Sequence, residues 1–209
     1  MESNNNFTSK FSSVFTIIFP SLFNSRNEHQ KPQKQLSKKD SLNNNKFYKC
    51  PVCCLVLENY LARKHSQSHP SKIFDWMYLG SYDNSINKND LNKLKIKYVL
   101  NCTHECKSIP HKNIKYKQIK LFDNPQFDIK QYLQSAFSFI NEAKENKASI
   151  LIHRAMGISR SSAIVIAYIM KEQKITYKQA FWFVKQKRSI TFPNLGFVEQ
   201  LTKYQDEIL

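Results

Sequence analysis

Hydrophobic and polar residues follow two different periods from about residue 72 onward, and the two periods alternate along the chain. Short runs of β-prone residues predict strands at 76–79, 98–102, 115–121 and 149–153. Apolar residues at helical spacing predict amphipathic helices near 89–95, after 128, after 176 and from 197 to 208. Strands that alternate with helices indicate an α/β domain with a largely parallel central sheet flanked by helices, spanning 72–209.

Two of these helices carry a sequence signal for their start. Asp128 stands three residues before Gln131, and Thr176 stands three residues before Gln179. In such a capping box, each side chain accepts a hydrogen bond from the backbone amide of the other residue. The two pairs therefore predict helix starts close to Asp128 and Thr176.

The stretch around which the domain is organised runs from 148 to 170 and predicts a strand, a tight loop and a helix. Residues 149–153 are a short apolar run typical of a buried parallel strand. Gly157 lies in the loop and can adopt backbone angles that other residues resist. From Ser161 the residues are apolar on all sides, which predicts a helix buried in the core.

A loop at the N-terminus of a helix can hold an anion. Free amides and the positive end of the helix dipole point at the same spot. Arg160 stands where the loop enters the helix, and its guanidinium can grip two phosphate oxygens at once. The alternative interpretation is an ordinary buried strand–helix unit with an arginine at its edge.

The residues of this loop match a family motif. They are His153, Arg154, Ala155, Met156, Gly157, Ile158, Ser159, Arg160 and Ser161. This run resembles the cysteine-phosphatase signature H-C-x-x-G-x-x-R-[ST], above all in its dual-specificity phosphatase form. Further similarities to that family are Y-L-G at 78–80, the strand Y-V-L-N at 98–101 and P-N-x-G-F at 193–197. The resemblance implies a dual-specificity phosphatase-like fold for 72–209.

The resemblance also implies roles for individual residues. Arg160 matches the arginine that holds the phosphoryl oxygens, and Ser161 matches the hydroxyl that stabilises the departing thiolate. His153 matches the histidine that sets the environment of the thiolate. Asp123, in L-F-D-N-P, matches the general acid that protonates the leaving oxygen. Arg154 stands at the position where the family has its nucleophilic cysteine.

Arg154 cannot replace that cysteine, because a guanidinium stays protonated and has no lone pair to offer phosphorus. Cys102 and Cys106 lie outside the loop, and Ser159 has no evident base in the sequence. The sequence therefore predicts an inactive phosphatase, or pseudophosphatase. Such a protein would bind phosphorylated proteins, or act as a scaffold or decoy for their kinases and phosphatases. An active phosphatase with an unrecognised nucleophile is the alternative.

The side chain of Arg154 has two possible consequences for the loop. It either projects into the phosphate position and fills it, or swings aside and adds a positive charge. The sequence leaves both open.

Residues 47–71 have metal-ligand spacing. Cys50, Cys53, His65 and His69 follow the order C-x2-C-x11-H-x3-H, one residue shorter in the middle than the usual Cys2His2 pattern. The stretch resembles a C2H2 zinc finger, which implies one structural zinc ion. Cys54 competes with Cys53 as a ligand, and a polar linker with incidental cysteines and histidines is the alternative.

Residues 1–46 are rich in Asn, Ser and Lys and predict a disordered, low-complexity tail. An apolar patch at 14–23 interrupts the tail, but Pro20 breaks it and it is too short to span a bilayer. We therefore expect no transmembrane segment. The patch is interpreted as unstructured, with contact to a membrane surface or a partner as the alternative.

Net charge and cysteine content indicate the class of partner and the cellular compartment. The formal net charge of +16 favours anionic partners such as phosphoproteins, and it keeps nucleic-acid binding open as a third function. Three of the five cysteines cluster at 50–54 beside nearby histidines, which is typical of metal binding rather than a disulfide framework. This usage predicts a reducing, intracellular compartment, the cytoplasm or the nucleus.

Overall fold

The computed structural model describes residues 47–49 and 55–209. The predicted tail, its apolar patch, and Cys50, Cys53 and Cys54 lie outside the described residues. The strands are β1 (Phe47–Lys49), β2 (Val56–Glu58), β3 (Ser71–Phe74), β4 (Met77–Gly80), β5 (Ile96–Asn101), β6 (Lys115–Gln118) and β7 (Ser149–His153). The helices are α1 (Asn59–Ser68), α2 (Tyr82–Ile86), α3 (Lys88–Lys93), α4 (Lys130–Glu145), α5 (Arg160–Gln173), α6 (Tyr177–Lys187) and α7 (Leu195–Ile208).

Five strands form the central sheet in the order β3-β4-β7-β5-β6. β3 pairs antiparallel with β4, and all other neighbours are parallel, which confirms the predicted largely parallel sheet. Gly80 of β4 and Asn101 of β5 both lie opposite His153 of β7. The carboxyl ends of three strands therefore meet at His153, at the edge where open α/β sheets bind their ligands.

Helices cover both faces of the sheet, as adjacent residues of β5 show. Val99 belongs to a buried cluster with Leu91 of α3. Tyr98, the residue before it, points to the opposite face and packs against Phe139 of α4, with ring centroids 5.4 Å apart. Successive side chains of a strand point to opposite faces, so these two contacts place α3 and α4 on different sides.

Helix α5 is the centre of the core. All residues from Arg160 to Met170 are buried, which confirms the prediction from the apolar run. Within the part of the chain that the structure describes, no helix is both long and apolar enough to cross a membrane.

The predicted starts of α4 and α6 are confirmed, but the capping box predicted for Asp128 and Gln131 is wrong, since the N-cap of α4 is Ile129, whose side chain makes no capping hydrogen bond. Thr176 and Gln179 form the complete capping box ahead of α6. The carboxylate of Asp128 accepts a hydrogen bond at 2.9 Å from the amide of Lys130, the first residue of α4. One short helix, α2, is absent from the sequence predictions. Ser81 and Asn84 cap it reciprocally, and the side chains of both residues are buried.

Candidate functional site

The site lies in the loop between β7 and α5, and residues 153–161 are called the cradle from here on. β7 ends at His153, residues 154–159 turn, and α5 begins at Arg160. The side chain of Ser159, the residue before the helix, makes no hydrogen bond to the first amides of α5. The amides of the first helical turn are therefore left for a ligand, in the field of the helix dipole.

Gly157 and Arg188 set the shape of the cradle. Gly157 has a φ of +68°, and a Cβ there would lie 2.4 Å from the carbonyl oxygen of Gly80. Arg188 is fully buried behind the loop. Its Nε donates to the carbonyl of Gly157 at 2.9 Å, and its Nη2 donates to the carbonyl of Met156 at 3.1 Å. These bonds draw the carbonyls outward, toward Arg188.

Arg160 is buried at the start of α5 and pairs with Glu105 from the loop after β5. Its Nη1 donates to Glu105 Oε2 at 2.7 Å, and its Nη2 pairs with Oε1 of the same carboxylate. Nη1 also donates to the carbonyl of Leu121 at 3.0 Å. The Arg160 guanidinium holds the pKa of Glu105 at about 2, well below its usual range. An internal carboxylate therefore occupies the fork that would grip phosphate.

Arg154 turns toward Asp123. Its Nη2 lies 3.3 Å from Asp123 Oδ2, and 11% of its side chain is exposed. Burial lowers the pKa of Arg154, and the charge of Asp123 acts in the opposite direction. Arg160 Nε lies 3.8 Å from the same Oδ2. The structure thus brings together the two predicted site residues Arg154 and Asp123, and makes the carboxylate a counterion of both guanidinium groups.

Ser159 has a carboxylate partner, so the expectation that no base lies near it is wrong. Its Oγ donates to Asp123 Oδ1 at 2.7 Å and accepts a hydrogen bond from the amide of Asn194 at 3.1 Å. Asn194 Nδ2 donates to Asp123 Oδ1 at 2.9 Å. The sequence could not show this contact because 36 residues separate Ser159 from Asp123. The hydroxyl belongs to a buried residue and joins the cradle to the loops that carry Asp123 and Asn194.

His153 and Ser161 lie buried at the base of the cradle. Burial lowers the pKa of His153 to about 4, so its ring is neutral at pH 7. Among the described residues, neither ring nitrogen of His153 has a hydrogen-bond partner. The same is true of Ser161 Oγ. These are the positions that the resemblance assigns to the surroundings of a thiolate, and this chain has Arg154 where the family has the cysteine.

Of the two described cysteines, Cys102 gives the cradle no thiolate. Cys102 is fully buried at the end of β5, and burial raises the pKa of its thiol far above the ordinary value. The thiol therefore stays protonated and is a poor nucleophile. Cys106 lies in the following loop, where its carbonyl accepts a hydrogen bond from Asn101 Nδ2 at 2.7 Å.

The described part of the predicted zinc module has a ββα arrangement. β1 and β2 pair antiparallel, and α1 follows directly. His65 and His69 lie near the end of α1, with their Nε2 atoms 3.1 Å apart. Since Cys50 and Cys53 fall outside the described residues, no cluster of three or more metal-binding side chains is found within them.

Sequence reasoning missed Glu105 and Arg188 as members of the site. Both lie far from the cradle in sequence, and neither carries a local signal. Asn194 carried a weak sequence signal, because it belongs to the P-N-x-G-F match.

The cradle, its buried arginine and the mixed sheet define an α/β domain of the phosphatase type. The family model described as "Dual specificity phosphatase, catalytic domain" matches residues 77–207, more than half of the chain. The chain therefore belongs to the dual-specificity phosphatase family.

Relatives and solved structures agree with this assignment. A probable rhodanese domain-containing dual specificity protein phosphatase of Dictyostelium discoideum is 43% identical over 144 residues, 68% of this chain and 30% of the relative. Human protein phosphatase Slingshot homolog 1 is 43% identical over 136 residues, 65% of this chain and 13% of the relative. The chain thus spans less than a third of the length of these curated relatives.

Among solved structures, DUSP15 superposes with a TM-score of 0.63 at 29% identity, covering 66% of this chain and 87% of that one. The human tyrosine phosphatase-like serine/threonine/tyrosine-interacting protein gives the same TM-score and identity, and covers 66% of this chain and 97% of that one.

Proposed function

We propose that this chain is a dual-specificity phosphatase-family domain that has lost phosphoryl transfer and binds phosphorylated proteins, as a scaffold or decoy in phosphorylation signalling. One observation carries the proposal. Arg154 stands at the nucleophile position, and its guanidinium contacts Asp123, the residue at the general-acid position, at 3.3 Å. Both positions on which the chemistry depends are thereby committed to an ion pair.

The other candidate nucleophiles fit this proposal. A guanidinium offers no lone pair, so Arg154 forms no bond to phosphorus. The thiol of Cys102 is buried and protonated. Ser159 is 5% exposed, and its hydroxyl is already engaged between Asp123 and Asn194.

Two features support retained binding of a phosphoryl group. The first turn of α5 keeps its amides free of a side-chain cap. Within the described residues, the buried Nε atoms of Arg154 and Arg160 have no hydrogen-bond partner. Each of these Nε–H groups can donate a hydrogen bond to an anion that enters the cradle. Phosphate oxygens supply the acceptors that these donors need.

The similar proteins give this proposal a context. The curated relatives are named as phosphatases, whereas one similar solved structure is named as a tyrosine phosphatase-like interacting protein. The second description is the one that fits a cradle with arginine at the nucleophile position.

Turnover of a small aryl phosphate tests the loss of chemistry. Wild type should show no turnover, and Arg154→Cys should create measurable activity. The new thiol would lie at a helix N-terminus beside Arg160, a setting that lowers its pKa and favours thiolate. Arg154→Ala is the matched control: it removes the guanidinium without adding a thiol and should stay inactive. Wild-type turnover that survives Arg160→Ala would overturn the proposal.

Binding of a phosphopeptide tests the retained cradle. Wild type should bind a phosphorylated peptide and not its unphosphorylated twin, as measured by fluorescence anisotropy. Arg160→Ala should weaken this binding by about tenfold or more, because a charge-assisted hydrogen-bonding group is lost. Equal binding of both peptides would show that the cradle does not recognise phosphate.

We further propose that residues 47–71 form a small zinc-binding module with Cys50, Cys53, His65 and His69 as ligands. The support is the sequence spacing, the ββα order and the 3.1 Å separation of the two histidine Nε2 atoms. A zinc ion held there would stabilise the module and supply no catalysis. Because thiolate ligands need a reducing environment, we place the protein in the cytoplasm or the nucleus.

A further inference from the structure

Exposed apolar side chains surround the cradle. Phe122 is 46% exposed, Met156 42%, Phe192 66% and Leu195 73%. These four residues are called the apolar rim. Large exposed apolar groups concentrated around one site indicate a surface that a partner covers.

Chain position and hydrogen bonds place three of the rim residues beside the polar groups of the cradle. Met156 belongs to the cradle itself. The amide of Phe192 donates to the carbonyl of Ile158 at 2.8 Å, which ties Phe192 to the edge of the cradle. Phe122 directly precedes Asp123, whose Oδ1 accepts the hydroxyl of Ser159 at 2.7 Å. The rim residues therefore lie at the cradle and beside Asp123, the carboxylate near which both guanidinium groups lie.

Close packing fixes the fourth residue, Leu195. A Cβ on its neighbour Gly196 would lie 1.8 Å from the carbonyl oxygen of Pro125. The backbone at 195–196 therefore touches the loop that carries Phe122 and Asp123. The ring of His104 stacks on Phe122 with centroids 4.1 Å apart.

We propose that the apolar rim is a docking surface for a phosphorylated peptide segment with large apolar residues on both sides of the phosphorylated residue. This inference rests on the proposed function, since the phosphoryl group would enter the cradle. Charge complementarity selects this occupant: the centre holds N–H groups of Arg154 and Arg160 that make no hydrogen bond among the described residues. Residues 72–209 have 22 Lys and Arg against 12 Asp and Glu, a formal charge of +10.

The cradle and the apolar rim differ in chemistry, which explains why the ligand needs both a phosphoryl group and apolar flanking residues. An anion alone satisfies the central donors but leaves the rim in water. An apolar peptide alone covers the rim but leaves the buried donors without acceptors. A phosphorylated residue between apolar neighbours matches both zones, and removal of the rim from water adds to its affinity.

A pair of phosphotyrosine peptides of equal length and charge tests this inference, one with Leu and Phe beside the phosphotyrosine and one with Ser and Gly. Full-length protein should bind the apolar-flanked peptide about tenfold more tightly, as measured by fluorescence anisotropy. Phe192→Ser and Leu195→Ser should each reduce that preference. Trp182→Ser on α6, at a residue 48% exposed, is the matched control and should leave it unchanged.

The outcomes separate this inference from the proposed function. Binding that needs the phosphate and Arg160, but is equal for both peptides, overturns the rim inference and leaves the proposed function standing. Binding of neither peptide overturns both. Size-exclusion chromatography with light scattering completes the test: if the wild type self-associates and the Phe192→Ser and Leu195→Ser proteins are monomers, the rim joins copies of this chain, and the inference is wrong. Thermal unfolding of each variant confirms that it is folded.

Discussion

At the scale of single residues, the cradle is a balanced set of charges. Arg154 and Arg160 face Asp123 and Glu105, two positive groups against two negative ones. An arginine in place of cysteine adds a full positive charge, and Asp123 neutralises it from the general-acid position. The side chain of Arg154 is mostly buried and turned to Asp123, and its Nε makes no hydrogen bond among the described residues.

Glu105 competes directly with phosphate for Arg160. Glu105→Gln removes the competing charge and keeps the shape of the side chain, so phosphopeptide affinity should rise by about fivefold, or ~1 kcal/mol. Fluorescence anisotropy measures the change. Glu142→Gln is the matched control, because that carboxylate pairs with Lys115 and makes no contact with the cradle arginines among its described bonds. Unchanged affinity in Glu105→Gln would show that Glu105 moves away without cost.

The same pair gives stability a pH dependence of definite sign. The pKa of Glu105 is about 2 in the folded protein and 4.5 ordinarily, so the folded state favours the ionised carboxylate. The contribution of the Glu105 carboxylate to the free energy of unfolding is therefore complete above about pH 4.5 and is lost as the pH falls toward 2. The difference in unfolding midpoint between wild type and Glu105→Gln, measured in urea, should shrink over this range. If the difference in unfolding midpoint does not change with pH, the ionisation of Glu105 is not its cause.

At the scale of secondary-structure elements, the sequence predicted what is local. β7, the loop and α5 are consecutive, and Thr176 with Gln179 spans one turn, so their residues alone determine them. The contacts that complete the site join distant segments: 55 residues separate Glu105 from Arg160, and 31 separate Gly157 from Arg188. Periodicity carries no information about such pairs, since the packing of the whole domain brings them together.

Gly157 is the residue on which the loop conformation depends. Gly157→Ala puts a Cβ at a positive φ, 2.4 Å from a backbone oxygen, so the loop must shift. We expect a loss of about 1–3 kcal/mol in the free energy of unfolding and loss of phosphopeptide binding. Thr176→Ala, which removes the cap of α6, should cost about 1 kcal/mol and leave binding intact. Unfolding in urea measures the stability of each variant, and fluorescence anisotropy measures its phosphopeptide binding. Retained binding in Gly157→Ala would contradict the role given to the loop.

At the scale of the whole molecule, the phosphatase-family domain is joined to a chemically different N-terminal part. The family match begins at residue 77, so the proposed zinc module precedes it. The described pieces of that module, β1, β2 and α1, are short, and several of their apolar side chains are exposed, including Phe47, Val56 and Tyr60. So small a core rarely stabilises a fold without a metal or a disulfide. This is the physical reason to expect zinc there.

Metal analysis of purified full-length protein tests that expectation. About one zinc per chain should be bound, and Cys53→Ser should abolish it, because each ligand contributes to a tetrahedral site. Loss of zinc should also open residues 47–71 to protease while leaving the phosphatase-family domain resistant, since such modules fold with their metal. Cys54→Ser is the matched control and should keep zinc. If Cys54→Ser loses the metal and Cys53→Ser retains it, Cys54 is the ligand, and protein purified without chelator that contains no zinc would refute the module altogether.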